Sequence, residues 1–156
     1  MRAVTTSIIA IALLALWLGA GTIVSAVVAP ALFAVLPSRT LAGAVVGRVL
    51  PAVFYSGIVI GLVALGLEWR VHREWRWAES AMGIMVLACA AAQVFVAPRI
   101  EAVRQAIGGP VDALSADDPR RIAFGRLHGE SVAWLGLAMV AAAVAGVAIA
   151  RVMTKE

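Results

Sequence analysis

Four stretches of this 156-residue chain contain no charged side chain and no histidine. All 22 Lys, Arg, Asp and Glu residues lie outside them, and the stretches are Ala3–Ser38, Val49–Leu67, Ser80–Pro98 and Ser131–Ala150. A helix on the surface of a soluble protein carries a polar stripe, which these stretches lack. Each is long enough to cross ~30 Å of hydrocarbon as a helix. The pattern therefore predicts a polytopic membrane protein and excludes an ordinary soluble domain.

The stretches predict a single transmembrane domain, residues 1–156, that contains four helices. We place the spans at about 4–36, 46–68, 79–107 and 119–151. The first, third and fourth are longer than the hydrocarbon layer is thick, and their extra turns fall on the same membrane face. The expected fold class is all-α: an integral membrane four-helix bundle, up-down-up-down, with helices 1, 3 and 4 extending beyond the bilayer on one face.

The first stretch follows Arg2, as the apolar region of a secretory signal peptide follows its basic residues. The apolar region of a signal peptide is only about 7–15 residues long, however. This stretch continues to Ser38 without a polar turn, so we expect one retained helix. Pro30 lies near its C-terminal third and predicts a kink or a partly unwound turn.

Basic residues are divided almost evenly between the two membrane faces. With four spans, both termini share one face, which holds six of the 13 Lys and Arg residues, while the opposite face holds seven. The positive-inside rule therefore assigns no orientation. The arginines next to the membrane indicate contact with a lipid bilayer and its anionic headgroups, not with nucleic acid. We expect a multi-pass protein of a bacterial inner or cytoplasmic membrane.

The connector between spans two and three is rich in tryptophan and alternating charge. Trp69, Trp75 and Trp77 lie within it, and indole rings favour the headgroup level of a bilayer. We therefore expect these residues to be membrane-interface anchors. The alternative is a cation-binding aromatic cage outside the membrane.

Small residues recur at helical spacing within the spans and predict close helix contacts. Such residues let helix backbones approach each other in lipid. The sets are Gly57 and Gly61; Gly21, Ser25 and Ala29; and Ala142, Gly146 and Ala150. They indicate either packing within the chain or contact with a membrane-protein partner or a second copy of the chain.

Several short motifs occur in order along nearly the whole chain. They are Trp17-Leu18-Gly19, Leu36–Thr40 followed by Gly43, Arg48–Pro51, Pro98-Arg99, and Phe124–Ser131. Together they resemble the family of transmembrane protein 205, also called domain of unknown function 4149. The resemblance implies a four-span membrane protein and, for the eukaryotic member, an association with platinum-drug resistance and vesicle traffic. It implies no catalytic residues.

This chain lacks the long insertion that the eukaryotic member carries between spans three and four, so a trafficking role of that loop does not transfer. A more distant similarity to four-span copper-resistance and haem-oxidation families is an analogy of fold alone.

Charged and polar residues cluster where the overlong helices leave the hydrocarbon. On the fourth helix Phe124, His128 and Ser131 share a face by their spacing, and on the third Glu101 and Arg104 do so. If these faces meet, they form a polar site at the membrane face. Its candidate residues are Arg48, Arg99, Glu101, Arg104, Arg126, His128 and Ser131. The site would serve an anion, a lipid headgroup or a proton-linked process, or it would be an ion-pair network that fixes helix register.

The sequence contains two candidate metal sites, and the cofactor stays unknown. Met82, Met85 and Cys89 place three soft sulfur atoms on one face of span three, a set that suits Cu(I) and similar ions; the alternative is a packed core face. His128 is a candidate haem ligand. The second histidine, His72, lies at the opposite membrane face, which excludes a haem with two histidine ligands within one chain.

Three functions from different classes follow. The first is a membrane bundle that handles a small solute, a metal or a lipid. The second is a structural accessory subunit of a larger membrane complex. The third is a haem- or metal-dependent membrane oxidoreductase. We favour a non-enzymatic role, because the sequence contains no hydrolase triad, HExxH helix, paired CxxC ligands or phosphate-binding glycine loop.

Overall fold

Four long helices pack side by side in the computed structural model, which describes residues 2–71 and 76–154. No strand occurs within these ranges. The helical segments, in chain order, are α1 (Arg2–Ile23), α2 (Ala29–Val35), α3 (Arg39–Val71), α4 (Arg76–Ala91), α5 (Ala97–Ile107) and α6 (Pro119–Met153). Segments α1 and α2 form the first long helix, and α4 and α5 form the third. The structure confirms the predicted all-helical bundle.

The first and third long helices are each interrupted by one π-helical turn. These turns span Val24–Val28 and Ala92–Val96, and each is followed by an Ala-Pro pair, Ala29-Pro30 or Ala97-Pro98. A proline ring collides with the carbonyl group four residues earlier in an α-helix, and a wider turn moves that carbonyl group away. The distortion predicted near Pro30 is therefore confirmed, and a second one occurs before Pro98.

The second long helix begins before residue 46, the start of the span predicted from the sequence. It begins at Arg39, directly after the short link 36–38, and Ser38 Oγ accepts a hydrogen bond of 3.1 Å from the backbone N–H of Leu41. Apolar composition indicates which part of a helix lies in lipid, whereas the helix itself extends to its capping residues. Helix α3 is 33 residues long, which at 1.5 Å per residue is longer than the ~30 Å of hydrocarbon.

The buried core is confined to the half of the bundle near the termini, which we call the terminal half (residues 2–23, 53–71, 76–96 and 131–154). Each helix contributes residues at spacings of three and four to it, as packed helices do. We call residues 24–52 and 97–130 the cap half. Within it, Ala42 is the one buried side chain among the residues that the structure describes.

Close contacts in the terminal half depend on two glycines of α3. A Cβ atom added to Gly57 would lie 2.8 Å from Cys89 Sγ and 2.8 Å from the Trp17 ring, and one added to Gly61 would lie 2.6 Å from a Val86 methyl group. The indole N–H of Trp17 donates a buried hydrogen bond of 2.9 Å to the Val53 carbonyl oxygen. Helix α3 therefore meets α1 and α4 at glycine, and this small-residue pair serves packing within the chain.

The other two small-residue sets differ from that pair. A Cβ atom on Gly21 would lie 3.5 Å from Met139 Sδ, in ordinary contact, while nothing lies within 4 Å of one on Gly146. Ser25 donates a hydrogen bond of 2.7 Å to the Gly21 carbonyl oxygen within its own helix. A contact with another subunit through the Gly146 set stays a prediction.

Candidate functional site

Arg104 lies where three helices meet in the cap half. Its guanidinium group is 3.6 Å from a Glu101 carboxylate oxygen on α5 and 6.0 Å from the centre of the Phe124 ring on α6. On α3, the position that a Gly47 Cβ atom would take lies 3.5 Å from Arg104 Nη2. A Cβ atom at position 47 would therefore be in ordinary contact with the guanidinium group. Arg104 joins α3, α5 and α6 through charge, an aromatic ring and a glycine surface.

The predicted polar-site residues fall into several separate environments. Arg126 pairs with Glu130 at 3.2 Å along α6, Ser131 is buried, and His128 is exposed. In the part of the chain that the structure describes, no hydrogen bond or ion pair joins His128 or Ser131 to Glu101. The two helices meet instead at Arg104 and Phe124.

Two further members of the predicted site, Arg48 and Arg99, are exposed on α3 and α5. The antiparallel contacts of Gly47 with Arg104 and of Gly57 with Cys89 place Arg48 and Arg99 at about the same depth. Over residues 2–71 and 76–154, neither side chain forms an ion pair. Both guanidinium groups are therefore available to an external anion.

The start of α6 is fixed by polar contacts around Asp118. Its carboxylate accepts a hydrogen bond of 2.8 Å from the backbone N–H of Arg120, and the Arg120 guanidinium group lies 2.8 Å from the second carboxylate oxygen. These hydrogen bonds hold the pKa of Asp118 at about 2, below its ordinary value. Arg121 donates a hydrogen bond of 2.8 Å to the Leu114 carbonyl oxygen. These contacts hold the first turn of α6 and the loop before it.

An apolar groove of about 430 Å³ runs between the third long helix and α6. Its walls include Ile84, Leu87, Phe95, Trp134 and Leu137, and we call it the lipid-facing groove. Most of these side chains are exposed on the outside of the bundle, where hydrocarbon surrounds a membrane protein.

The cap end of the lipid-facing groove leads to charged residues. Arg99 follows Phe95 by four residues, about one helical turn or ~6 Å nearer the cap. On α6, Glu130 and Arg126 precede Trp134 by four and eight residues, on the same side of the helix. By this spacing, the cap end of the lipid-facing groove lies near Arg99, which has no ion-pair partner among the described residues, and near the Arg126–Glu130 pair.

The three sulfur residues of span three lie on one face, as the spacing predicts. Met82, Met85 and Cys89 are fully buried, and they pack against the glycine face of α3 described above. Among the described residues, no group of three or more His, Cys, Asp and Glu side chains is placed to hold a metal ion. The three sulfur atoms fill the core between α3 and α4, and a metal there stays a prediction.

At the other end of the bundle, Trp69 and Trp77 are 68% and 85% exposed, and their role as interface anchors stays a prediction. Trp75 and His72 lie outside the described residues. Glu68, the last residue of the predicted span 46–68, is only 1% exposed. It lies four residues after Ala64 and so belongs to the buried stripe of α3. This spacing, and not the composition, indicates that Glu68 is buried.

Comparison with protein families adds a classification. Residues 12–108, well over half of the chain, match the family described as domain of unknown function (DUF4149). The chain belongs to this family. No curated protein and no solved structure matches it.

The segment shared with the family runs from within α1 to just past the end of α5. It includes Arg48, Arg99 and Arg104 but not the Phe124–Ser131 motif, and the resemblance to transmembrane protein 205 stays a prediction. Four helices are long and apolar enough to cross a membrane. This family member is therefore a multi-pass integral membrane protein.

Proposed function

We propose that this membrane bundle binds an anionic phospholipid. One acyl chain lies in the lipid-facing groove, and the phosphate group contacts Arg99 and Arg126 at its cap end. The observation that carries the proposal is the continuity of an apolar groove with an exposed arginine that has no ion-pair partner in the described ranges. Of the three ligand classes that the sequence allows, a small solute, a metal and a lipid, we therefore favour the lipid.

The groove supports an acyl chain because its shape and chemistry match one. It is elongated along the helix axis, from Ile84 to Phe95 on one wall, and its other wall is formed by Trp134 and Leu137. Twelve residues of helix span ~18 Å, more than half of a ~30 Å hydrocarbon layer. A flexible chain gains dispersion contacts in such a groove that it lacks in bulk lipid.

The cap end of the groove supports a phosphate group because guanidinium groups recognise phosphate by paired, charge-assisted hydrogen bonds. Arg126 is held by Glu130 at 3.2 Å with its side chain 81% exposed, so one side of its guanidinium group still faces outward. Arg99 adds an unneutralised positive charge. In the bacterial inner or cytoplasmic membrane that we infer for the protein, anionic phospholipids present phosphate groups that no headgroup cation neutralises.

The test is lipid retention measured by native mass spectrometry of the protein purified in a maltoside detergent. We expect phosphatidylglycerol to bind more tightly than phosphatidylcholine. Replacing Arg99→Gln should weaken phosphatidylglycerol binding about tenfold, as loss of a charged hydrogen bond implies. Arg39→Gln is the matched control, because it removes the same charge from an exposed site on α3, away from the groove.

The groove is tested separately by filling it. Ala91 lines the groove, so Ala91→Phe should reduce retention of both lipids, whereas Ala44→Phe, on an exposed face of α3, should not. Equal losses for Arg99→Gln and Arg39→Gln would show only diffuse electrostatic attraction. Unchanged binding by Ala91→Phe would remove the groove from the proposal.

A further inference from the structure

A second cavity lies at the opposite end of the bundle, between the end of α3 and the start of α4. It is a notch of about 330 Å³ lined by Leu65, Gly66, Trp69 and Glu79. Nothing lies within 4 Å of the position that a Cβ atom on Gly66 would take, so glycine leaves this wall open. We expect the end of α3 and the start of α4 to lie near a membrane interface, where tryptophan is favoured.

Glu79 brings an uncompensated charge to the notch. Its Oε1 atom is buried and accepts no hydrogen bond, and within the described part of the chain its carboxylate forms no ion pair. A buried carboxylate oxygen without a donor is unfavourable unless a cation or a donor reaches it. A cation or a hydrogen-bond donor in the notch would therefore stabilise the Glu79 carboxylate.

Trp69 supplies the second component, an aromatic ring beside that carboxylate. Its side chain is 68% exposed, so the ring borders the notch without being enclosed by protein. The face of an indole ring attracts cations, most strongly when they are organic and weakly hydrated. A carboxylate and an indole ring lining one cavity are complementary to an ammonium group that carries carbon substituents.

We propose that this notch binds an organic ammonium group, with the charge against Glu79 and the methylene or methyl groups against Trp69. The site differs from the cage of Trp69, Trp75 and Trp77 considered from the sequence, because Trp77 is 85% exposed and does not line the notch. Glu79, which no motif marked, takes the central place.

A metal ion fits the notch less well than an ammonium group. Calcium takes six to eight oxygen ligands and magnesium an octahedral set, whereas among the described residues Glu79 is the one carboxylate in the lining. The shared ligand chemistry has two sources: the headgroup of a zwitterionic phospholipid, which carries ethanolamine or choline, and a free amine in solution.

The experiment uses the full-length protein in a maltoside detergent, which carries no charge. Tetramethylammonium chloride is the probe, and sodium chloride at equal ionic strength is the reference. Binding to the folded state should raise the melting temperature in a saturable way. Glu79→Gln should weaken the apparent affinity about tenfold, and Trp69→Leu by about threefold to tenfold, while Trp69→Phe should retain part of it.

Two control variants separate the notch from general effects. Asp112→Asn removes an equal charge from the exposed loop before α6, and Trp77→Leu removes an exposed indole ring outside the lining; both should bind as the wild type does. If Glu79→Gln does not fold, the Trp69→Leu and Trp69→Phe pair carries the test. Equal stabilisation by both salts, or unchanged affinity in the folded Trp69→Leu and Glu79→Gln variants, would overturn the proposal.

Native mass spectrometry with phosphatidylethanolamine, phosphatidylcholine and phosphatidylglycerol identifies the source. If Glu79→Gln lowers retention of the first two lipids and not of the third, the ammonium group belongs to a lipid headgroup. If it lowers only tetramethylammonium binding, the site serves a free amine.

Discussion

The terminal half and the cap half of the bundle use the same four helices but are held together differently. In the terminal half, stripes of buried residues from every helix interlock, and α3 contacts its neighbours at Gly57 and Gly61. In the cap half, Ala42 is the one buried side chain among the described residues, and the Arg104–Glu101 pair and the Asp118 cap are contacts within α5 and at the start of α6. Packing in lipid depends on close van der Waals contact, so we infer that stability comes mainly from the terminal half and that the cap half is free to present ligand-binding groups.

One substitution made in both halves gives the largest expected contrast. Gly57→Val forces a branched side chain into the space of Trp17 and Cys89, and we expect a loss of about 3 kcal/mol in the free energy of unfolding or failure to fold. Gly43→Val in the cap half meets nothing within 4 Å and should stay within about 1 kcal/mol of the wild type. Thermal unfolding in detergent, followed by circular dichroism, measures both. Similar losses for the two variants would contradict the division of the bundle.

The buried hydrogen bond of Trp17 predicts the next effect. Trp17→Phe removes the donor, but the Val53 carbonyl oxygen also accepts from Ser56 Oγ at 3.0 Å, so no buried acceptor is left unsatisfied. We expect a loss of about 2 kcal/mol, because the smaller ring leaves space in the core in addition to the loss of a typical hydrogen bond. Trp134→Phe, in the lipid-facing groove, is the control and should be less destabilising in the same unfolding assay.

The Asp118 cap predicts a local effect in the cap half. Asp118→Ala removes the acceptor for the Arg120 N–H, so amide hydrogen exchange at the start of α6 should become severalfold faster. Asp117→Ala, at the adjacent exposed residue, should leave exchange unchanged. Faster exchange in the Asp117 variant alone would assign the cap to that residue.

The same carboxylate sets a pH dependence. The pKa of Asp118 is lowered to about 2 in the folded chain and is near 3.9 for an unperturbed aspartate. Its stabilising contribution is therefore fully present above about pH 4 and is lost as the pH falls through about 2. Protection of the first turn of α6 that stays constant from pH 8 to 5, after correction for intrinsic exchange, agrees with this sign; a loss near pH 6 would exclude Asp118 as the cause.

The smallest expected change in stability comes from the exposed pair at the groove. Glu130→Gln breaks the ion pair with Arg126, and pairs of this kind contribute only about 0.3–0.5 kcal/mol. The melting temperature should therefore hardly move. A large destabilisation would show that the cap half, too, carries much of the folding energy.

Several features of the site could be predicted from the sequence, and others could not. Spacing alone placed Met82, Met85 and Cys89 on one face, and Pro30 indicated the interruption of the first helix. Whether Glu101 contacts His128 depends on how α5 is rotated relative to α6. The spacing of residues along each helix does not give that rotation. In the structure this rotation brings Arg104 to Phe124 and leaves His128 exposed.

The sequence by itself determined that the chain is a four-helix membrane protein. Charge and unsatisfied backbone groups are so unfavourable in hydrocarbon that the spacing of charged residues along the chain is sufficient for that conclusion. Only the tertiary structure decided which gap residues come together: Arg104 contacts Gly47 and Phe124, and Trp69 and Glu79 line one notch. These pairs depend on helix rotation and axial register, and the packing of Trp17 and Cys89 against Gly57 helps to set both.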